Sequence, residues 1–239
     1  MWYKIDKKYL NNLKENGDER IPDQDYGIDS YKPFFKLFTI KDMTYVTQIN
    51  HFKKRHLYIR EDLDFTKLKD NTGKILGVVN LNYMFPVLEK HLTKMDDKDI
   101  EEIILQKWNQ EKVQSYMEML EIEKQQILDR NVYEKAVLLY NEKQLNRLDP
   151  FMDKRVLDYT HLENKCVEYE LHQHFNKEEI SVSSSMGLFF ADVDDERYTI
   201  KYDDLNRLHL IKEVHEIGLE LEKEKSVEID ISKDGGKSL

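Results

Sequence analysis

The spacing of apolar residues changes near residue 95, and this change restricts the fold more than any other feature. The first 90 or so residues contain short apolar runs typical of strands, namely "WYKI", "FFKLFTI", "YVTQI" and "KILGVVNL", with turn signals such as "DNTG" between them. From about Asp97 to Gln144 the apolar residues recur at helical spacing instead, and "VLDYTHLENKCVEYELHQHF" continues in that style after Asp149 and Pro150. This order predicts an α+β fold in which long amphipathic helices pack on an antiparallel sheet.

The clustering of cationic residues and histidines in "INHFKKRH", Ile49 to His56, is the second notable feature. "FFKLFTI" and "YVTQI" lie on either side of four polar residues and predict a hairpin, which leads directly into this cluster. The cluster therefore follows the end of a strand, where a rigid scaffold commonly holds a functional site. Near the N-terminus, Asp6 precedes "KKYLNNLKE" and is suited to cap a short first helix.

Charge is distributed unevenly along the 239 residues, whose formal net charge is -10. Residues 1–92 contain 16 Lys and Arg against 13 Asp and Glu, whereas residues 93–239 contain 21 against 34. This asymmetry is compatible with a nucleic-acid-binding face on the N-terminal part, but a solvated acidic helix bundle gives the same totals.

Composition and motifs exclude several classes of protein. No run of 18 apolar residues occurs, and the first residues lack the apolar stretch of a signal peptide, so a soluble cytoplasmic protein is expected. The single cysteine, Cys166, excludes an internal disulfide and a zinc site built on cysteines. There is no glycine-rich phosphate loop, nucleophile elbow or helical zinc pair, and we expect neither a metal nor another cofactor.

The C-terminal part has a separate pattern. Residues 180–202, "ISVSSSMGLFFADVDDERYTIKY", predict two strands around the turn "DVDDER". "LNRLHLIKEVHEIGLELEKEK" then predicts an amphipathic helix, and the final "KDGGKSL" is expected to be disordered.

Four stretches resemble, in order and spacing, the ToxN/AbiQ group of type III toxin-antitoxin ribonucleases. They are "WYKIDKKYLNNL", "YKPFFKLF", "ILGVVNLNYMFPVL" and "LDYTHLENKCVEY". The third is the most specific, since it resembles the family's Leu-Gly-x-Ile/Val-Asn-Leu block followed by Met and Pro. The resemblance covers about residues 1–170 and predicts a nuclease domain there, with residues 171–239 forming a small α+β extension of unknown role that ends in a disordered tail.

What the resemblance implies is a metal-independent endoribonuclease toxin, acting in plasmid maintenance or in abortive infection against phage. Its fold would be a strongly twisted antiparallel sheet related to compact toxin barrels, with helices packed on it. Its partners would be a small structured, pseudoknot-like antitoxin RNA, which inhibits the toxin and which the toxin processes from a repeat precursor, and cellular or phage mRNA as substrate. Members often close into rings of alternating toxin and RNA, and no membrane is implied.

The family's functional positions can be carried over one by one. Its N-terminal tyrosine corresponds to Tyr9 in "KKYL", and a basic position beside the RNA groove corresponds to Lys32. Its catalytic loop reads Thr-Ser-Pro-Lys-Lys, and "YVTQINHFKKRH" occupies that place here. Lys53 thus aligns with the loop lysine, whereas His51 stands where the family has serine.

The chemistry of metal-free RNA cleavage fits these residue types. Such cleavage activates the ribose 2′-OH, stabilises charge on the phosphate and protonates the departing 5′ oxygen, giving a 2′,3′-cyclic phosphate and a 5′-hydroxyl. A histidine is better suited than a serine to proton transfer near neutral pH, so the predicted catalytic residues are His51, Lys53, Lys32 and Tyr9. The predicted RNA contacts are Lys54, Arg55, His56, Phe52, Gln114 and Tyr116.

Two alternatives remain open on the sequence alone. Because His51 replaces the family's serine, the chain could have lost cleavage and kept RNA binding as a regulator. It could also be a protein-interaction module whose acidic C-terminal part binds a basic partner.

Overall fold

The computed structural model describes residues 2–27, 30–177, 179–194, 196–202, 205 and 211–212. The strands are β1 (Trp2–Ile5), β2 (Phe34–Ile40), β3 (Met43–Thr47), β4 (Ile49–His51), β5 (Phe65–Lys69), β6 (Ile75–Asn80), β7 (Phe85–Leu88), β8 (Leu92–Met95), β9 (Ile180–Ser185), β10 (Leu188–Val193), β11 (Glu196–Lys201) and β12 (Ile211–Lys212). The helices are α1 (Lys7–Asn16), α2 (Asp97–Leu105), α3 (Gln110–Asp129), α4 (Val132–Gln144), α5 (Pro150–Arg155) and α6 (Tyr159–Phe175).

The predicted hairpin is confirmed, with a tighter turn than expected. Strands β2 and β3 pair antiparallel up to Ile40 and Met43, so the connection is two residues long. Lys41 and Asp42 both have positive φ, 52° and 60°. These are the dihedrals of a turn whose twist matches that of the flanking strands. The hairpin forms the centre of a five-stranded sheet of order β7-β3-β2-β1-β8.

The apolar run "YVTQI" is divided between two sheets at Gln48. Strand β3 belongs to the five-stranded sheet, whereas β4 belongs to a three-stranded sheet of order β4-β6-β5. The buried amide of Gln48 donates to the backbone oxygens of Asp23 and Lys32, at 2.7 and 2.8 Å. These bonds fix the chain where it crosses between the sheets, and so they fix the start of β4 relative to the segment that carries Lys32.

The helices begin at residues with suitable capping groups. The Asp6 carboxylate accepts from the Tyr9 backbone N–H at 2.9 Å, which confirms the predicted cap of α1. Asn109 caps α3 and Asp158 caps α6 in the same way. Asp149 caps the short helix α5, which begins at Pro150. The predicted break between the longer helices therefore contains a helix of six residues.

The C-terminal sheet has one strand more than the sequence predicted. The predicted hairpin around "DVDDER" is β10 and β11, but β9 also pairs with β10 along its whole length. Met186 and Gly187, both at positive φ, form the additional turn between β9 and β10. Ile211 and Lys212 form a strand within the predicted helix "LNRLHLIKEVHEIGLELEKEK"; apart from Leu205 the rest of that segment, and the "KDGGKSL" tail, lie outside the described residues.

The fold is confirmed as mixed α+β with antiparallel sheets and packed helices. None of the sheets formed by the described residues closes on itself, so the likeness to a toxin barrel stays a prediction. Within the same residues no helix combines the length and the apolar character that crossing a bilayer requires.

Candidate RNA-binding and cleavage site

The loop after β4 is held in a defined shape by one of its own histidines. The Lys53 backbone N–H donates to Nδ1 of His56 at 3.1 Å, and the His56 N–H donates to the Lys53 backbone oxygen at 2.8 Å. His56 is only 3% exposed and packs its ring against Phe52 and Phe65. Because its ring closes the loop from inside, the neighbouring side chains of Lys53, Lys54 and Arg55 are directed to solvent.

Lys32 is brought to this loop from a distant part of the sequence. Its ammonium lies 3.5 Å from Oδ1 of Asn50 and 4.8 Å from the centroid of the Tyr26 ring. Burial lowers the pKa of Lys32, and the positive charge of Lys53 lowers it further. Lys32 therefore lies close enough to Lys53 for the two charges to interact, and their shared role in catalysis stays a prediction.

His51 is the last residue of β4 and is half-buried. Burial lowers the pKa of its imidazole, and the charges of Lys32, Lys112 and Lys53 act in the same direction. The ring lies against α3, with its centroid 6.1 Å from that of Tyr116 in an edge-on arrangement. An imidazole with a lowered pKa is neutral at pH 7 and able to accept a proton.

Two cavities that share four lining residues form a surface depression beside the loop, which we call the basic groove. The smaller, of about 180 Å³, is lined by Arg20, Pro22, Thr47, Gln48, Asn50, Lys53, Arg55, His56, Asn80 and Tyr83. The larger, of about 470 Å³, is lined by Arg55, His56, Ile59, Arg60, Asp62, Asp64, Phe65, Asn80, Asn82, Tyr83 and Arg155. The walls thus combine guanidinium and ammonium groups with aromatic rings and side-chain amides, a combination suited to unpaired nucleotides. Two carboxylates, Asp62 and Asp64, also line the larger cavity, and Asp64 is paired with Arg155.

The cations that line the groove or lie beside it differ in whether they are already paired. Arg20 is bound by Asp18, and Arg155 by Asp64. Among the described residues, no carboxylate lies within ion-pair distance of Lys32, Lys53, Lys54, Arg55 or Arg60. Positive charges that have no carboxylate partner are the ones available to phosphate groups.

Two predicted contacts on α3 lie on different faces of that helix. Tyr116 is buried, its hydroxyl donates to the Tyr31 backbone oxygen at 2.9 Å, and its ring contacts His51. Gln114 is exposed on another face, where it donates to Glu118 and lines a separate cavity with three carboxylates, Asp97, Glu101 and Glu121. The predicted RNA contact through Gln114 is therefore not supported, because an acidic cavity repels phosphate.

Tyr9 is not brought into this cluster. Its side chain is 0% exposed and stacks on His91 at 4.0 Å, with Tyr169 edge-on at 5.0 Å. Its hydroxyl accepts from the Leu88 backbone N–H, and burial raises its pKa well above the usual value. An enclosed phenol of this kind supports the core, and a direct contact with RNA is not available to it in this structure.

Sequence reasoning missed Glu123, which lies beneath the site. It belongs to the buried stripe of α3 together with Tyr116, Leu120 and Ile127. The signal that could have found it is an acidic residue at a position where helical spacing requires an apolar one. In the part of the chain that the structure describes, no group of three or more His, Cys, Asp or Glu side chains is arranged to hold a metal ion.

Comparison with known protein families gives a match that covers more than half of the chain. A family described as "Toxin ToxN, type III toxin-antitoxin system" matches residues 1–167. A search of curated proteins found no match.

Solved structures with the same fold come from the same kind of system. One, from work on a processed non-coding RNA that regulates a bacterial antiviral system, is 23% identical over 69% of this chain and 96% of that chain, with a TM-score of 0.55. Another, from work on selective toxin inhibition by a non-coding RNA pseudoknot, is 22% identical over 71% and 96%, with a TM-score of 0.54. A third is AbiQ, a lactococcal anti-phage endoribonuclease, 14% identical over 71% and 97%, with a TM-score of 0.55. At these identities the likeness shows the fold alone.

Proposed function

Since this chain belongs to the family of toxin ToxN of type III toxin-antitoxin systems, we propose that it is a metal-independent, sequence-specific endoribonuclease. The observation that carries the proposal is the half-buried imidazole of His51, with a lowered pKa, beside the unpaired ammonium groups of Lys32 and Lys53. A proton acceptor next to positive charges that have no carboxylate partner is what attack by a ribose 2′-OH on its own phosphate requires.

In the proposed mechanism His51 takes the proton of the 2′-OH. The oxygen then attacks the adjacent phosphorus, and Lys32 and Lys53 stabilise the negative charge that develops on the phosphate oxygens. The 5′ oxygen departs with a proton from water, which leaves a 2′,3′-cyclic phosphate and a 5′-hydroxyl, and loss of the proton on His51 to solvent restores the neutral imidazole. General acid–base assistance of this kind contributes roughly 10²–10⁴-fold to a rate.

RNA would lie in the basic groove, whose smaller cavity is lined by Lys53 and by Asn50, the residue that precedes His51 and contacts Lys32. Lys53 and Arg55 line this groove, and Lys54 is exposed beside them for phosphate contacts, while Phe52 and His56 shape the loop from which they project. Tyr116 supports the His51 ring from α3. Aromatic and amide side chains in the groove provide surfaces for splayed bases, and we propose that they read the cleavage sequence.

By analogy with the described relatives, we propose a structured RNA of the pseudoknot type as the inhibitor and a role in anti-phage defence. Processing of that RNA from a precursor, cellular or phage mRNA as substrate, a cytoplasmic site of action and a ring-like assembly of toxin and RNA belong to the same proposal. Residues 1–170 would carry the nuclease, and residues 171–239 would add a support that contributes none of the proposed catalytic groups.

End mapping of cellular RNA after brief induced expression tests the proposal. The wild type is expected to produce new 5′-hydroxyl ends at a short recurring sequence, in purified form also in the presence of EDTA. His51→Ala is expected to lower the cleavage rate by about 100-fold or more, since it removes the general base. His174→Ala, at an exposed histidine of α6, is the matched control and should cleave like the wild type.

Different failures of this test have different meanings. A wild-type protein that retains RNA through purification but produces no new ends would be an RNA-binding regulator. Cleavage that His51→Ala leaves intact would keep the enzyme and remove His51 from its mechanism.

A further inference from the structure

Glu123 is a buried acidic side chain that the mechanism above does not use. It is 1% exposed on α3, and its Oε1 atom has no hydrogen-bond partner among the described residues. No ion pair involving Glu123 occurs within that part of the chain either. Buried carboxyl groups are normally paired, so one that is unpaired and adjacent to a candidate site requires an explanation.

The position of the carboxyl relative to His51 follows from the sheet. Strands β4 and β6 are antiparallel, and Gly77 is the direct partner of His51. A Cβ atom built on Gly77 would lie only 2.4 Å from Oε1 of Glu123, so the carboxyl fills the space that a side chain at this position would take. Partners directly opposite each other project from the same face of a sheet, with Cβ atoms about 4.5–5.5 Å apart. The Glu123 carboxyl therefore lies on the face of the sheet from which the His51 side chain projects, opposite that residue.

The charges around Glu123 are few. Lys32 faces it from the segment before β2, Tyr116 from its own helix and His51 from β4. Strand β6 has no ionisable side chain. On two other elements that pack against α3, Lys67 of β5 binds the Leu57 backbone oxygen and Lys135 of α4 binds the Thr66 hydroxyl.

The protonation of Glu123 follows from this environment. Burial raises its pKa to about 8, against the opposing effect of Lys32. The carboxyl is therefore mostly neutral at pH 7. In this state it neither compensates the charge of Lys32 nor favours the protonated form of His51. An ionised carboxylate at the same place would do both.

We propose that Glu123 is a positioning residue of the cleavage site, whose carboxyl fills the space opposite His51 and, by forming no ion pair among the described residues, leaves Lys32 available to the RNA phosphate. This inference rests on the proposed ribonuclease function. It implies that ionisation of Glu123 opposes phosphate binding, because the carboxylate then compensates the charge of Lys32. Activity should therefore depend on pH through a group that does not touch RNA.

The test compares the wild type with Glu123→Gln, an isosteric change that keeps the side chain neutral at every pH. kcat/KM for a short RNA with a single cleavage site is measured from about pH 6 to about pH 9.5, because this ratio reports on the free enzyme. We expect the two proteins to agree within about twofold at pH 6.5. At pH 9 the wild type should be slower by about tenfold, since a group with a pKa near 8 is then about nine-tenths ionised. Deprotonation of Lys32 affects both proteins, so the ratio of the two rates isolates Glu123.

Two further variants keep the test decisive. Glu118→Gln removes an exposed carboxylate from the same helix and should follow the wild type at every pH. Glu123→Met, of similar length and suited to the apolar stripe, should follow Glu123→Gln, and it replaces that variant if thermal unfolding shows that Gln is not tolerated.

RNA binding provides a readout that is independent of cleavage. In a His51→Ala background, affinity for the same RNA should fall between pH 6.5 and pH 9 by a larger factor with Glu123 present than with Gln in its place. A ratio of wild-type to Glu123→Gln rates that stays constant over the pH range would overturn the role of Glu123 while leaving the ribonuclease intact. The absence of wild-type cleavage at every pH would instead overturn the proposed function.

Discussion

Lys112 allows the charge environment of His51 to be tested at the scale of single residues. It is exposed on α3, its ammonium lies 3.9 Å from the centroid of the Trp108 ring, and its charge contributes to the lowered pKa of His51. His51 is active as a base only when neutral, so the rate falls as pH drops through its pKa in the folded protein. Lys112→Gln should raise that pKa and move the acidic limb of the pH–rate profile to higher pH.

The measurement is kcat/KM from about pH 4.5 to about pH 8 for the wild type and two variants. Lys112→Arg keeps both the charge and the stacking on Trp108, so its acidic limb should coincide with that of the wild type. If the acidic limb of the Lys112→Gln profile coincides with that of the wild type, a group other than His51 causes the loss of rate at low pH.

Lys53 is expected to act mainly through the phosphate backbone. It is exposed, forms no ion pair within the described residues and lines the smaller cavity of the basic groove. Lys53→Gln should weaken binding of an RNA with a 2′-deoxy group at the cleavage site, and it should reduce the slope of log affinity against log salt by about 1. Lys98→Gln, on the exposed surface of α2, should change neither quantity. An unchanged salt slope in the Lys53 variant would exclude a direct phosphate contact.

Residue type and motif order identified the cationic residues and the histidine of the candidate site, but not the buried acid beneath them. Lys32, His51 and Lys53 lie near one another, because a hairpin and a strand end place them there, and their catalytic roles stay a prediction. Tyr9 and Gln114 were assigned by position along the chain, and burial in one case and helix phase in the other direct them elsewhere. Glu123 was missed because nothing local identifies the glycine on a distant strand that makes room for it.

At the scale of elements, a buried carboxylate on α6 connects two helices to the central sheet. Oε1 of Glu163 accepts from the hydroxyl groups of Tyr45 on β3 and Tyr140 on α4, at 2.8 and 2.9 Å. Its other oxygen pairs at 2.6 Å with Lys41, in the β2–β3 turn. A buried charge with all these partners holds the helices in one arrangement, because any other arrangement leaves polar groups unpaired.

Glu163→Ala is therefore expected to be strongly destabilising. It leaves a largely buried ammonium group and two tyrosine hydroxyls without their acceptor, at a cost of about 3–5 kcal/mol in the free energy of unfolding. Urea unfolding followed by circular dichroism measures this. The control is Glu121→Ala on α3, whose exposed pair with Lys124 is worth about 0.5 kcal/mol or less. A loss in the Glu163 variant no larger than in the control would show that solvent replaces the lost acceptor.

Strand and helix type followed from apolar spacing except at β12, which lies within a predicted helix, whereas sheet membership did not. The run "YVTQI" reads as one strand, and only the hydrogen bonds of the Gln48 side chain reveal the crossing between two sheets. The strand β9 was merged with β10 because its alternating serines have little apolar character, although every residue of β9 pairs with one of β10. Such pairings depend on partners that local sequence does not specify.

At the scale of the whole molecule, the proposed nuclease and the C-terminal sheet are joined through α6. The family match ends at residue 167, and the sequence-based boundary at residue 170 lies within this helix, which runs from Tyr159 to Phe175. The sheet packs on the helix, with Phe175 and Tyr198 rings 5.1 Å apart. It also reaches the β2–β3 turn, where the Lys41 ammonium lies 4.7 Å from the Tyr202 ring. Separating the parts should therefore expose apolar surface without removing a group of the basic groove.

A chain that ends at Asn176 tests this separation. It lacks the apolar residues of the C-terminal sheet, such as Phe189, which belong to the same buried core as α6, so its melting temperature should be lower than that of the full chain. Below that temperature its cleavage rate per folded molecule should match the full chain within about twofold, because His51, Lys32 and Lys53 keep all their described neighbours. Phe189→Ala in the full chain is the matched variant, since it should lower the melting temperature through a cavity in the same sheet while every residue is retained. The contrary result is a shortened chain that stays folded but cleaves more than about tenfold more slowly than the full chain, while Phe189→Ala cleaves normally. The C-terminal residues would then take part in RNA binding, and the nuclease would extend beyond α6.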